Sequence, residues 1–197
     1  MRCEEAERFV HAYLDGEFDD IDLAMMTHTS SNTDEGKLTI SSTNNGMIAK
    51  FIQFQGRAAH AGGAPHRGIN ALNAATLALN NIHAQRETFQ DKDTVRVHPI
   101  ITKGGEAVSA VPADVRMETF VRGRTLEALM DANMKVDRAL RAGAMAVGAE
   151  VKIQTIPGYM PLQQNKAMAE IFRANAADLV GEENVGYVAH RGGSTDM

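Results

Sequence analysis

Between Gly46 and Pro157 the hydrophobic period of this sequence switches from two to about 3.6 and back, twice, and few folds tolerate that alternation. Met47 to Gln55 alternates as a strand. Ile69, Leu72, Thr76, Leu79 and His83 follow at spacings of three and four and mark one face of a helix, which "DKD" then breaks. "TVRVHPIITKGG" reads as the next strand, with Val95 and Val97 on one side. "KGGEA" makes a hairpin into a further strand that carries Val115, Met117, Thr119 and Val121 on one face. Leu126, Leu129, Val136, Leu140, Ala144 and Val147 describe a long amphipathic helix, and Val151 with Ile153 opens a last strand.

The order β-α-β-β-α-β is that of the ferredoxin-like unit, an antiparallel sheet covered on one face by two helices. We therefore expect an α/β (α+β) protein in which this unit spans residues 46–157. Residues 1–45 and 158–197 are its flanks. They hold a helical pattern from Glu4 to Leu14, an apolar run from Ile21 to Met26, a strand "KLTISSTNNGM" ending in an Asn-Asn-Gly turn, and a helix from Lys166 to Val180. The flanks read as parts of a second domain into which the small one is inserted, with the Asn-Asn-Gly turn as boundary.

Composition narrows the function classes. At 44% apolar, 23% charged and a net charge of −5, the chain is globular and offers no electrostatic reason to bind nucleic acid or an anionic membrane. No apolar run approaches the roughly 20 residues of a membrane span, and the opening "MRCEEAERF" is acidic where a signal peptide is basic. A cytoplasmic location is the expectation. The one cysteine, Cys3, has no partner for an intrachain disulfide or a CxxC site. Nucleophile elbow, phosphate loop and dinucleotide fingerprint are all missing.

Chemistry must then come from the histidines and from a few polar loops. His28 follows the apolar run that ends at Met26, so it is either a metal ligand just past a buried strand or a surface loop histidine. "QGRAAHAGGAPHRGINALNAA" places His60 after a strand and His66 at the mouth of a helix. Either an imidazole there donates to a developing oxyanion, with small neighbours letting a substrate come close, or the stretch is a polar connecting loop. "HRGGSTDM" is either a carboxylate- or phosphate-gripping loop or a flexible tail. Arg116, Arg122 and Arg124 are possible carboxylate clamps, although strand-borne arginines usually face solvent. His11, His83 and His98 take structural readings.

Together these pieces resemble the dinuclear-zinc amidohydrolases and exopeptidases (metallopeptidase clan MH) that include aminoacylase, glutamate carboxypeptidase, succinyl-diaminopimelate desuccinylase and aminobenzoyl-glutamate hydrolase. "FQGRAAHAGGAPHRGINALNAA" is similar to the family's G-x-x-x-H-A-x-x-P-x-x-G-x-N-A stretch, which opens the inserted lid, or dimerisation, domain. "GGEAVSAVPADVRMETFVRGR" resembles its hairpin and following strand, "GEFDDIDLAMMTH" the segment ending at a metal-binding histidine, and "GGSTDM" its substrate-carboxylate loop. The resemblance implies that His28 is a zinc ligand and that His60 reaches from the lid into the active site of a dimer partner to stabilise the tetrahedral oxyanion. It implies further that Arg122 holds the substrate carboxylate, that Gly193, Ser194 and Thr195 grip the same end, and that Ser109 stands where the family usually has a substrate-contacting Asn.

Family members also carry a His or Cys-Gly-His ligand motif, a bridging carboxylate, a Glu-Glu pair with the general base, and a final histidine ligand, none of which this sequence matches. Glu4 and Glu5 open a helix and lack the Gly-Gly that follows the family's pair. The expectation is thus a lid domain with flanking pieces of a catalytic domain, taken from a homodimeric enzyme with two divalent metals, zinc in the family. It would hydrolyse N-acyl or N-aminoacyl amino acids or dipeptide-like substrates and be inactive as this chain alone. The competing expectation is a non-catalytic homodimerisation module. A small RNA binder is disfavoured by the acidic charge and the lack of an aromatic-rich strand motif.

Overall fold

The computed structural model describes Met25, Thr27 and residues 33–195. Cys3, the expected helix from Glu4 to Leu14, and the candidate ligand His28 lie outside the described residues. Within them the chain runs β1 (Leu38–Ser41), β2 (Thr43–Asn44), β3 (Gly46–Gln55), α1 (Ala71–Ala84), β4 (Arg96–Val97) and β5 (Ile100–Lys103). It continues through β6 (Asp114–Gly123), α2 (Leu126–Val147), β7 (Glu150–Pro157), β8 (Leu162–Gln163), α3 (Lys166–Val180) and β9 (Val185–Val188).

Antiparallel pairing orders the main sheet β4 and β5, then β6, β3 and β7. This is the ferredoxin-like arrangement, because each β-α-β crossover skips one position and admits an antiparallel neighbour between its strands. Register sets the inward face: Ile48 opposes Val121, Ile52 opposes Met117 and Phe54 opposes Val115, and all six are buried under α1 and α2. The four residues expected on one face of β6, Val115, Met117, Thr119 and Val121, are all buried, and Gly123 continues that face. Outside this sheet, β1 pairs in parallel with β9 and β2 antiparallel with β8.

Three local expectations are corrected. The strand predicted over "TVRVHPIITKGG" is two short strands, interrupted at His98 and Pro99, since Pro99 has no N–H for the ladder and restricts the residue before it. The Asn-Asn-Gly sequence is no turn: Asn45 alone separates β2 from β3, and it is fully buried. The buried face of α1 is Ala71, Ala74, Ala75, Ala78 and Ile82, one step around the helix from the face expected, on which Thr76 and His83 are exposed. The reason is the approach of α2. A Cβ added at Gly143 would lie 2.6 Å from the backbone carbonyl oxygen of Ala74 and 2.6 Å from the amide nitrogen of Ala78, so small side chains alone fit this crossing.

Capping delimits these helices. The Asn70 side chain accepts from the amides of Leu72 (2.9 Å) and Asn73 (3.1 Å) to start α1, and Thr125 Oγ1 accepts from Ala128 N at 3.2 Å to start α2. Gly148, at φ 73°, ends α2 in the left-handed conformation. One charge enters the sheet's inner side. Lys50 is 1% exposed, and its ammonium donates to Asp137 Oδ1 at 2.6 Å and Thr155 Oγ1 at 3.0 Å.

Candidate functional site

The candidate residues gather at the two ends of β3. Beyond Gln55 the chain is tied on both sides. Arg57 and Ile69 exchange backbone bonds of 3.0 and 2.9 Å, Val111 N donates to Ala59 O at 2.9 Å, and Ala61 N donates to Ser109 O at 2.8 Å. His60 therefore sits on an isolated bridge opposite Ala110, next to the exposed Ser109. Its Nδ1 accepts from the amides of Gly62 at 3.2 Å and Gly63 at 2.8 Å. With Nδ1 committed as acceptor, the neutral ring carries its proton on Nε2, which is left to donate on an exposed surface. A Cβ at Gly63 would meet His60 Nδ1 at 3.3 Å, so the glycine admits the close loop that fixes this tautomer. His66 lies in the 3-10 turn Pro65–Arg67 that leads toward α1, as the sequence suggested.

At the other end, Arg122 on β6 stands opposite both Met47 and Arg96. Its guanidinium lies 5.5 Å from the centroid of Phe120, and its Nε is buried without an acceptor. The Gly192–Ser194 loop is fastened to Asn45 and Gly46, at the end of β3 where Met47 opposes Arg122. Asn45 N donates to the carbonyls of Arg191 (3.2 Å) and Gly193 (3.0 Å), Asn45 Nδ2 donates to those of Thr94 (2.9 Å) and Gly192 (3.1 Å), and Ser194 Oγ donates to Gly46 O at 3.4 Å. His190 completes the junction, with Nδ1 2.8 Å from Thr43 Oγ1 and Nε2 2.9 Å from Thr94 Oγ1. Burial lowers the His190 pKa, and the nearby Arg124 and Arg96 lower it further, so the neutral ring is favoured. Of the three candidate clamps, Arg116 is separated from the others and lies 3.6 Å from the Asp114 carboxylate.

β3 is ten residues long, and at about 3.4 Å per residue its two ends stand about 30 Å apart. The fold thus brings His60 to Ser109 at one end of β3, and at the other ties Gly193 and Ser194 to Asn45 and Gly46, where Gly46 stands opposite Gly123, the residue after Arg122. Among the described residues no group of three or more His, Cys, Asp or Glu side chains is placed to hold a metal ion. Sequence reasoning missed Asn45, Arg96 and the joining role of His190. Asn-Asn-Gly reads as a turn by composition, and the pairing of Arg96 with Arg122 depends on strand register, which spacing along the chain does not encode.

Comparison with known proteins matches residues 42–148 to the peptidase dimerisation domain. The chain is 29% identical over 165 residues to a Xaa-Arg dipeptidase of Mus musculus, covering 83% of this chain and 37% of that protein. It is 27% identical to an indole-3-acetyl-aspartic acid hydrolase of Enterobacter agglomerans, covering 92% and 42%. With one of the polypeptides of the p-aminobenzoyl-glutamate hydrolase of Escherichia coli it shares 26% identity, covering 91% and 41%. A solved aminobenzoyl-glutamate utilization protein from Klebsiella pneumoniae has the same fold, with a TM-score of 0.71 at 23% identity over 93% of this chain and 47% of that one. The chain spans less than half the length of these relatives.

Proposed function

Because the chain belongs to the family of the peptidase dimerisation domain, we propose that it is the lid-bearing part of a metal-dependent amidohydrolase that cleaves the amide bond of N-acyl or N-aminoacyl amino acids. The carrying observation is the separation of about 30 Å along β3 between His60 with Ser109 and Arg122 with Gly193 and Ser194. No N-acyl amino acid spans that gap. Two copies related by a twofold axis remove the difficulty, since an isologous contact repeats every cross-subunit contribution in both directions. His60 and Ser109 of one protomer would then complete the site to which the other contributes Arg122.

In such a site the His60 Nε2–H donates to the oxyanion that develops on the amide carbonyl, a stabilisation worth more in a shielded site than in water. Arg122 takes the substrate carboxylate in its planar fork. Gly193, Ser194 and Thr195 supply loop contacts to the same end of the substrate, and Ser109 supplies one from the partner's side. Zinc, or another divalent pair, belongs to this proposal only through the family resemblance and through His28, which lies outside the described residues. The described residues do not fit a metal centre, so no step is derived through one. Isolated, this chain is expected to be inactive, and a cytoplasmic location belongs to the same proposal. No helix among the described residues is long and apolar enough to cross a membrane.

A dimer contact has physical support at β7, which among the described residues pairs with β3 alone, and at Met130, Met134 and Met145, which are exposed on α2. That surface also supports the second reading, a homodimerisation module without catalysis. The test is hydrolysis of a panel of N-acyl amino acids with zinc, cobalt or manganese, using this chain and a longer protein that contains it. Turnover by the longer protein alone is expected. Turnover by this chain would overturn the part-enzyme reading, and a dimeric longer protein that neither binds metal nor turns over would favour the module.

A further inference from the structure

Arg96 and Arg122 oppose each other directly on antiparallel strands, so their side chains leave the sheet on the same face, with Cα atoms about 5 Å apart. Like charges in such a pair repel. Arg124 adds a third cation two residues on, where its amide donates to Asp93 O at 2.9 Å, and both it and Arg96 lie close enough to His190 to disfavour a charge there. Among the described residues no carboxylate lies within ion-pair distance of any of the three. Arg96 Nη1 donates to the carbonyl of Val95 at 3.0 Å, and Arg122 Nε has no acceptor. A buried donor without a partner and a repelling cross-strand pair are both relieved by an anion.

The proposed function accounts for one carboxylate, the α-carboxylate on Arg122, and leaves Arg96 and Arg124 in surplus. We propose that Arg96 and Arg124 form a second anion subsite beside Arg122, which selects N-acyl amino acids whose own side chain carries a carboxylate. The inference rests on the assignment of Arg122 as carboxylate clamp. The two carboxylates of an aspartyl or glutamyl residue are separated by two or three carbon–carbon bonds beyond the α-carbon branch, a span compatible with guanidinium groups on directly opposed strand positions. A basic terminal side chain would meet like charge here and be rejected, and a neutral one would leave the surplus cations unpaired.

Calorimetric titration of the purified chain with N-acetyl-L-glutamate, its neutral isostere N-acetyl-L-glutamine, and N-acetyl-L-arginine reads the subsite without requiring turnover. Glutamate is expected to bind about tenfold more tightly than glutamine, with arginine the weakest. Arg96→Gln, at an exposed position, should bring the glutamate and glutamine affinities together while leaving glutamine binding unchanged, and Arg124→Gln should reduce the ratio in part. Arg122→Gln should weaken both ligands alike. Equal binding of glutamate and glutamine by the unaltered chain, or a ratio that survives both Arg96→Gln and Arg124→Gln, overturns the second subsite and leaves the clamp standing. Failure of all three ligands to bind, or binding indifferent to Arg122→Gln, overturns the clamp and the subsite with it.

Discussion

Lys50 brings an ammonium to the helix-covered side of the sheet, where every other inward side chain of β3 and β6 except Thr119 is apolar. Its charge is held by Asp137 from α2 and Thr155 from β7, so one side chain ties three elements together. Breaking a buried pair by removing one partner costs more than the pair is worth, because the remaining charge keeps its desolvation penalty. Asp137 retains 29% side-chain exposure, so water reaches part of the pair and the effect falls at the lower end of the buried range. Asp137→Ala strands the fully buried ammonium and is expected to destabilise by about 3 kcal/mol in chemical denaturation, whereas Lys50→Met strands only the Asp137 carboxylate, which water already reaches, and should cost clearly less. Equal losses from the two substitutions would show that the pair itself, rather than the stranded charge, sets the energy.

At the scale of elements, the α1–α2 crossing leaves no room for a side chain at Gly143. Alanine is the better helix former by about 1 kcal/mol, so Gly143→Ala would stabilise an isolated helix. In this crossing the added Cβ meets backbone atoms of α1 at 2.6 Å, and backbone yields less readily than a flexible side chain. Overpacking of that kind costs about 2–3 kcal/mol and exceeds the gain in propensity. Gly143→Ala is therefore expected to lower stability by about 1–2 kcal/mol net, read from the denaturant midpoint at unchanged slope. The expected leucine face of α1 erred for the same reason. Spacing along the chain put Leu72 and Leu79 on the inner face, whereas they are only partly buried at the edge of the core, and the closeness of the two helices decided for alanine at its centre.

For the whole molecule, the division of the candidate site between the ends of β3 makes a prediction that no single-subunit site shares. His60→Ala in the metal-loaded longer protein should lower turnover by about 10²–10³, the cost of one oxyanion donor. Mixing His60→Ala with Arg122→Ala protomers should then restore activity. Half of the dimers would be mixed, and each would keep one intact site of two, giving about one quarter of the unmutated rate under random pairing. Mixtures no more active than either variant alone would place His60 and Arg122 in the same subunit's site, against the separation along β3.

Local order was legible in the sequence where one face of an element is apolar and its neighbours are polar. The alternation of Val115, Met117, Thr119 and Val121 and the extent of α3 from Lys166 to Val180 could be read directly, because period and turn residues are properties of adjacent positions. The ferredoxin-like order of elements followed, and the His60 stretch could be recognised by its residues. Tertiary structure alone decided the rest. Which helix face is buried depended on how near another helix comes, and the tautomer of His60 depended on the amides of Gly62 and Gly63 folding back over its ring. That Arg96 stands against Arg122, while His60 follows the opposite end of β3, depended on strand register and length, which arise only when distant segments pair.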